Sequence, residues 1–177
     1  MTDAIVPNES PRFLPNSKSC FVCGEENPAG LQTRFFVDGN YVKMPLNAQD
    51  HHCGYANTVH GGVVAAALDE CMGWAASRAI QRMCVTADLT VRYLHRVPAD
   101  VALTVRAEVT KSHKRMVQAT AVIIDAAGKE YARAEGRFLP LSVEETLEVD
   151  DALLYRGDEE RIFDTLRAEY NGAANQS

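Results

Sequence analysis

Two neighbouring features of this 177-residue chain combine the ingredients of acyl-transfer chemistry. The acids Asp69 and Glu70 are the only charged groups between His60 and Arg78, inside a run, Val63 to Ala79, that is rich in Ala and apolar on nearly every face. A helix with that pattern is buried, and a carboxylate buried without a partner is unfavourable. Immediately before the run stands His60-Gly61-Gly62, where glycines leave backbone N–H groups unobstructed at the positive end of a helix dipole, an anion site by construction. N–H groups that hold an oxyanion and a carboxylate that activates water form a plausible hydrolytic pair. Asp69 follows Gly61 by eight residues, ~12 Å along a helix axis, a gap that one acyl group spans only in part. Asp69 is also readable as a structural acid that caps, or that pairs with an arginine such as Arg92.

Cys20-x-x-Cys23 has the spacing of a zinc or redox pair, with no second Cys or His pair at finger-like distance and no βαβ pattern after it. No metal and no cofactor is therefore expected. Cys53, near His51 and His52, is where further ligands would be sought, and Cys71 and Cys84 read as core. An odd total of five cysteines without an export signal argues for reduced thiols. Residues 1–20 lack a basic patch followed by an apolar run, and nothing approaches the ~18 apolar residues of a membrane span. The expected location is cytoplasmic, with no membrane partner.

The elements that must position these groups follow from periodicity. Pro7, Pro11 and Pro15 lie among Asn and Ser in an N-terminal arm, residues 1–19. Leu31 to Val37 and Tyr41 to Leu46 flank Asp38-Gly39-Asn40, a strand, turn, strand signal. After the Ala-rich helix, Val85 to Tyr93 alternates with Val85, Ala87, Leu89, Val91 and Tyr93 on one face. Val101 to Val109, Met116 to Ile124 and Tyr131 to Leu139 continue a meander with period two. Two strands, one long buried helix and four strands, with no crossover helices, predict an α+β fold: an antiparallel sheet of about six strands around the helix. Residues 20–140 form the expected domain. The remainder, 141–177, is an acidic extension with ten acids against three arginines, expected to hold short helices near Glu144 to Tyr155 and Asp158 to Tyr170. No basic face suits a nucleic acid, which leaves a small anionic ligand.

His60-Gly61-Gly62, Leu68-Asp69-Glu70, Val85-Thr86-Ala87-Asp88-Leu89 and Arg92-Tyr93-Leu94 together resemble the hotdog-fold acyl-CoA thioesterases, in particular those similar to the phenylacetate-pathway thioesterase. The resemblance covers roughly residues 20 to 139, and Cys20 to Leu31 is similar to the opening segment of some members. It implies a hotdog fold, hydrolysis of an acyl-CoA thioester, and a homodimer or a dimer of dimers whose site lies between subunits. By position it implies Asp69 as general base or nucleophile, with Glu70 the alternative, the Gly61 N–H on the thioester carbonyl, and Thr86 positioning water. Many relatives carry an Asn six residues before the His, where this chain has Gly54. Asn57, His51 and His52 are the replacements within reach of the same loop.

For substrate binding the expected residues are His60, Gly62 and Asn57 near the helix start. The expected phosphate anchors for coenzyme A are Arg92, His113, Lys114 and Arg115, with His95, Arg96 and Lys111 in the same basic turns. Trp74, Tyr55 and Met72 are candidates for shaping the acyl pocket. Two other readings fit the same residues. One is an acyl-CoA-binding module without turnover, favoured by the Gly at 54; the other is a hotdog hydratase or dehydratase, which needs a His paired with an acid.

Overall fold

A computed structural model describes residues 12–174. In chain order the strands are β1 (Arg12–Phe13), β2 (Phe36–Asp38), β3 (Tyr41–Leu46), β4 (Cys53–Tyr55) and β5 (Thr58–Val59). The long helix α1 (Gly61–Ile80) follows, then β6 (Cys84–Tyr93), β7 (Leu103–His113), β8 (Met116–Asp125), β9 (Glu130–Pro140) and two tail helices, α2 (Val143–Ala152) and α3 (Asp164–Ala174). Seven strands form one antiparallel sheet in the order β1-β2-β3-β7-β8-β9-β6, and β4 and β5 form a separate small ladder before the helix. This is the antiparallel sheet around one helix that the periodicity predicts, with one strand more than expected and with short helices at the C-terminal end.

The helix forms where Ala supplies propensity and small size. Its inward residues, among them Val64, Leu68, Cys71, Met72 and Trp74, are buried against the sheet. The sheet side of the core comes from alternating residues such as Val105 and Ala107 on β7, Ala121 and Ile123 on β8, and Ala134 and Phe138 on β9. Leu14, Val22, Leu31 and Phe35 from the N-terminal segment and Ile162 and Phe163 from the tail complete it. The expected arm at 1–19 falls partly outside the described residues; from Arg12 onward it packs, with β1 on β2 and with Leu14 and Asn16 fully buried.

Three expectations change. The meander expected over the four strands after the helix holds only for β7, β8 and β9, because β6 pairs with β9 at the sheet edge and β3 takes the place beside β7. The strand read over Leu31 to Val37 begins only at Phe36, because Leu31 and Phe35 reach the core from irregular backbone. On β6 the inward face shifts at a bulge between Thr86 and Asp88: Thr86 pairs with Phe138, yet Leu89 pairs with Gly136. Directly opposed residues share a sheet face, so Thr86 turns inward with Phe138 while Val85 stays half exposed. An extra residue in one strand reverses side-chain phase, and that reversal brings a polar Thr to the helix.

Candidate active site

Thr86 and Asp69 meet across the gap between β6 and α1. The Thr86 hydroxyl donates a 2.8 Å hydrogen bond to Asp69 Oδ1. Asp69 is half-buried; burial raises its carboxyl above the ordinary aspartate range, and the Thr86 bond pulls it partway back. The alternative of an arginine partner does not hold, because among the described residues Asp69 is in no ion pair. The two side chains open on a cavity of about 190 Å³ that is also walled by Glu70, Trp74, Val149 and Leu153. Trp74 thus lines the cavity as well as packing in the core, whereas Met72 is fully buried.

Glu70, next in sequence, points away to the N-terminal segment. Its Oε1 accepts from Cys20 Sγ at 3.4 Å and from Cys23 Sγ at 3.5 Å. Burial, reinforced by the Cys20 charge, pushes the Glu70 carboxyl up to about 8. Within the thiol pair, Cys23 holds the Cys20 thiol down at about 5, and the same contact with burial raises Cys23.

The helix start is arranged differently from a bare anion site. His60 is the N-cap, and its ring Nδ1 accepts from the Gly62 N–H at 2.9 Å. Of the two glycine N–H groups, that of Gly62 is therefore taken. The Gly61 carbonyl accepts from the Tyr93 hydroxyl at 2.7 Å. Gly61 lines a second cavity, of about 410 Å³, with Gly54, Tyr55, His60, His95 and Arg96. A side chain at position 54 would press on the His60 ring, 3.2 Å from the Cβ site, which is a steric reason for glycine in the place of the Asn. Asn57 donates to Asp100 at 2.9 Å and accepts from the Ala99 N–H at 3.0 Å, so it ties two loops together. His52 is buried between the Gln49 N–H and the Ala29 carbonyl, and His51 is exposed.

A family profile described as the thioesterase superfamily matches residues 56–134. Among solved structures, a thioesterase superfamily protein is 26% identical with a TM-score of 0.62; the match covers 68% of this chain and 59% of that one. The chain therefore spans less than two thirds of that relative. The chain is thus similar to the thioesterase superfamily over just under half of its length. Zebrafish thioesterase superfamily member 2 is 19% identical with a TM-score of 0.57 over 62% of this chain and 81% of the fish protein. A Bacillus halodurans protein crystallised with CoA is 24% identical with a TM-score of 0.52, covering 55% of this chain and 70% of that one. No curated protein matches.

The expected phosphate anchors fall into three places. His95 and Arg96 share the cavity of Gly61. Lys111, His113, Lys114 and Arg115 are exposed around the β7–β8 hairpin turn, and Arg92 is exposed on β6. None of the Lys and Arg among them enters an ion pair among the described residues. The matched stretch includes Glu70 but neither Cys20 and Cys23 nor the α2 residues at the cavity wall, and sequence reasoning missed both the three-residue group and the α2 wall. The spacing of Cys20 and Cys23 was a signal for the first, while the third member lies 47 residues away. Among the described residues, no helix is long and apolar enough to cross a membrane.

Proposed function

We propose that the chain hydrolyses an acyl-CoA thioester with Asp69 as the catalytic carboxylate. The observation that carries this reading is the Thr86–Asp69 hydrogen bond at the wall of a half-apolar cavity. A hydroxyl has one donor and two acceptor sites. Thr86 spends its donor on Asp69 and keeps acceptor capacity for a water. Asp69 takes a proton from that water as its oxygen bonds to the thioester carbon; the C–S bond then breaks and the proton passes to the leaving thiolate. A carboxylate made more basic by burial is better suited to that step. CoA is the bound ligand of the Bacillus halodurans relative, and His95 and Arg96 beside Gly61 are suited to its phosphates.

The oxyanion donor we assign to the Gly61 N–H of a second copy. Within one chain Gly61 and Asp69 line different cavities and are separated by ~12 Å of helix. An antiparallel dimer formed along β6, the last strand of the sheet, supports the pairing of one copy's helix start with the other's Asp69. Val85 at 50% exposure and Tyr93 at 51% give that edge apolar surface to bury. The unit 20–140 carries the chemistry in this account, and 141–177 contributes Val149 and Leu153 to the acyl cavity.

A hydratase reading finds less support. His52 spends both ring nitrogens and His60 its Nδ1 on backbone groups, and among the described residues neither is paired with an acid. The test is thiol release from a panel of acyl-CoAds differing in chain length and aromaticity, by the wild-type chain and by Asp69→Asn. Turnover by the wild type, reduced at least ~100-fold in a folded Asp69→Asn variant, is expected. Tight CoA binding with no release from any substrate would favour the non-catalytic module.

A further inference from the structure

We propose that Cys20, Cys23 and Glu70 form a zinc site, with the fourth coordination position open to water from the cavity that Asp69 lines. Nothing in this assignment depends on thioester hydrolysis. The ligand atoms of the three residues all lie within 4.8 Å of one another, so one ion can reach all three. They come from two separate elements, the N-terminal loop and α1, which a shared ion would lock together.

The loop has the construction of a metal knuckle. The Val22 N–H donates to Cys20 Sγ at 3.3 Å and the Ser17 N–H to Cys23 Sγ at 3.5 Å, and such bonds stabilise negative sulfur. The Gly24 N–H closes the turn onto the Cys20 carbonyl at 2.9 Å. A Cβ at position 24 would sit 2.3 Å from that carbonyl oxygen, so only glycine permits a turn tight enough to bring both sulfurs to Glu70. The Glu70 carboxylate is unfavourable to bury without a cation, and the two thiols beside it are ligands that give up their protons to a bound metal ion. Among the described residues Glu70 enters no ion pair, and Cys23 is almost wholly buried. A divalent ion supplies the missing charge.

Thiolate with carboxylate in a four-coordinate arrangement suits Zn²⁺, and three protein ligands leave one position for water. Cys53 is outside the cluster; its Sγ contacts the Gln49 carbonyl at 3.7 Å, so the ligand set completed in sequence terms by His51 or His52 is replaced by one completed from the helix.

The full-length chain, purified under reducing conditions without chelator, is analysed for metal by plasma mass spectrometry and then reconstituted with Co²⁺. Close to one zinc per chain is expected, with thiolate-to-cobalt charge-transfer absorption after exchange. Cys20→Ser and Cys23→Ser should abolish that absorption, Cys53→Ser should leave it intact, and Glu70→Gln should weaken zinc binding by about tenfold or more. Glu70→Gln preserves shape and keeps the test decisive if a cysteine variant fails to fold. A chain that neither contains zinc nor takes up Co²⁺ overturns the assignment, as does a Cys20–Cys23 disulfide in place of metal, or uptake unaffected by all three ligand variants.

Discussion

Asp69 and Glu70 sit side by side in an apolar helix and answer their burial in different ways. Asp69 accepts one hydroxyl hydrogen bond and faces a cavity; Glu70 gathers two sulfurs. The first arrangement sets the carboxylate beside a hydroxyl able to hold a reacting water, whereas the second sets it against two sulfurs. The role of Thr86 then divides cleanly by substitution. Thr86→Ala removes a hydrogen bond to a charged group and should lower kcat by roughly tenfold or more, whereas Thr86→Ser keeps the hydroxyl and should retain most turnover; steady-state kinetics on both variants would show the split. An acid in a buried helix and a glycine pair at its start are local signals that made Asp69 and Gly61 candidates, while the choice of Asp69 over a structural acid, and of Gly61 as donor, came from the resemblance. The partner of Asp69 was suggested only by resemblance, and the Cys20–Cys23–Glu70 group was legible only in its two-cysteine half.

At the scale of elements, legibility follows the reach of the pattern. The Asp38-Gly39-Asn40 turn announces itself, since Gly39 sits at φ +59° where other residues are strained. The buried helix and the four strands after it are equally direct readings of periods 3.6 and 2, but their order is not: β6 pairs with β9 and not with β7, so only β7, β8 and β9 form a meander. The bulge in β6 was hidden, because a one-residue insertion is visible only against the register of β9. In the tail, α2 begins with a capping box: Ser142 accepts from the Glu145 N–H at 3.1 Å and Glu145 returns by accepting from the Ser142 N–H at 2.9 Å. Ser142→Ala should therefore cost about 1 kcal/mol, measured by denaturant unfolding at neutral pH. The hydrogen bond from Ser142 lowers the Glu145 carboxyl. Its folded value is below its unfolded one, so its support is present above the ordinary glutamate range and is lost as pH falls through the lowered value.

Across the whole molecule, the acidic tail is matched to arginines elsewhere. Arg34 bonds Glu159 at 2.7 Å and Arg78 bonds Glu160 at 3.0 Å, so the charge asymmetry in the sequence is part of how the tail docks beside the cavity. The same scale holds the claim on which the account rests, that Asp69 of one copy works with the helix start of another. Gly61→Pro tests it without disturbing the fold: position 61 is the first residue of α1, where proline lacks only an unneeded N–H. His60, at φ −59° and ψ 136°, already has the backbone that precedes proline. Gly61→Pro and Asp69→Asn chains should each be nearly inactive, yet unfolded and refolded together in equal amounts they should recover about a quarter of wild-type acyl-CoA hydrolysis, since half the dimers are mixed and each holds one intact site. Full turnover by Asp69→Asn alone, or no recovery in folded mixed dimers, would contradict the account.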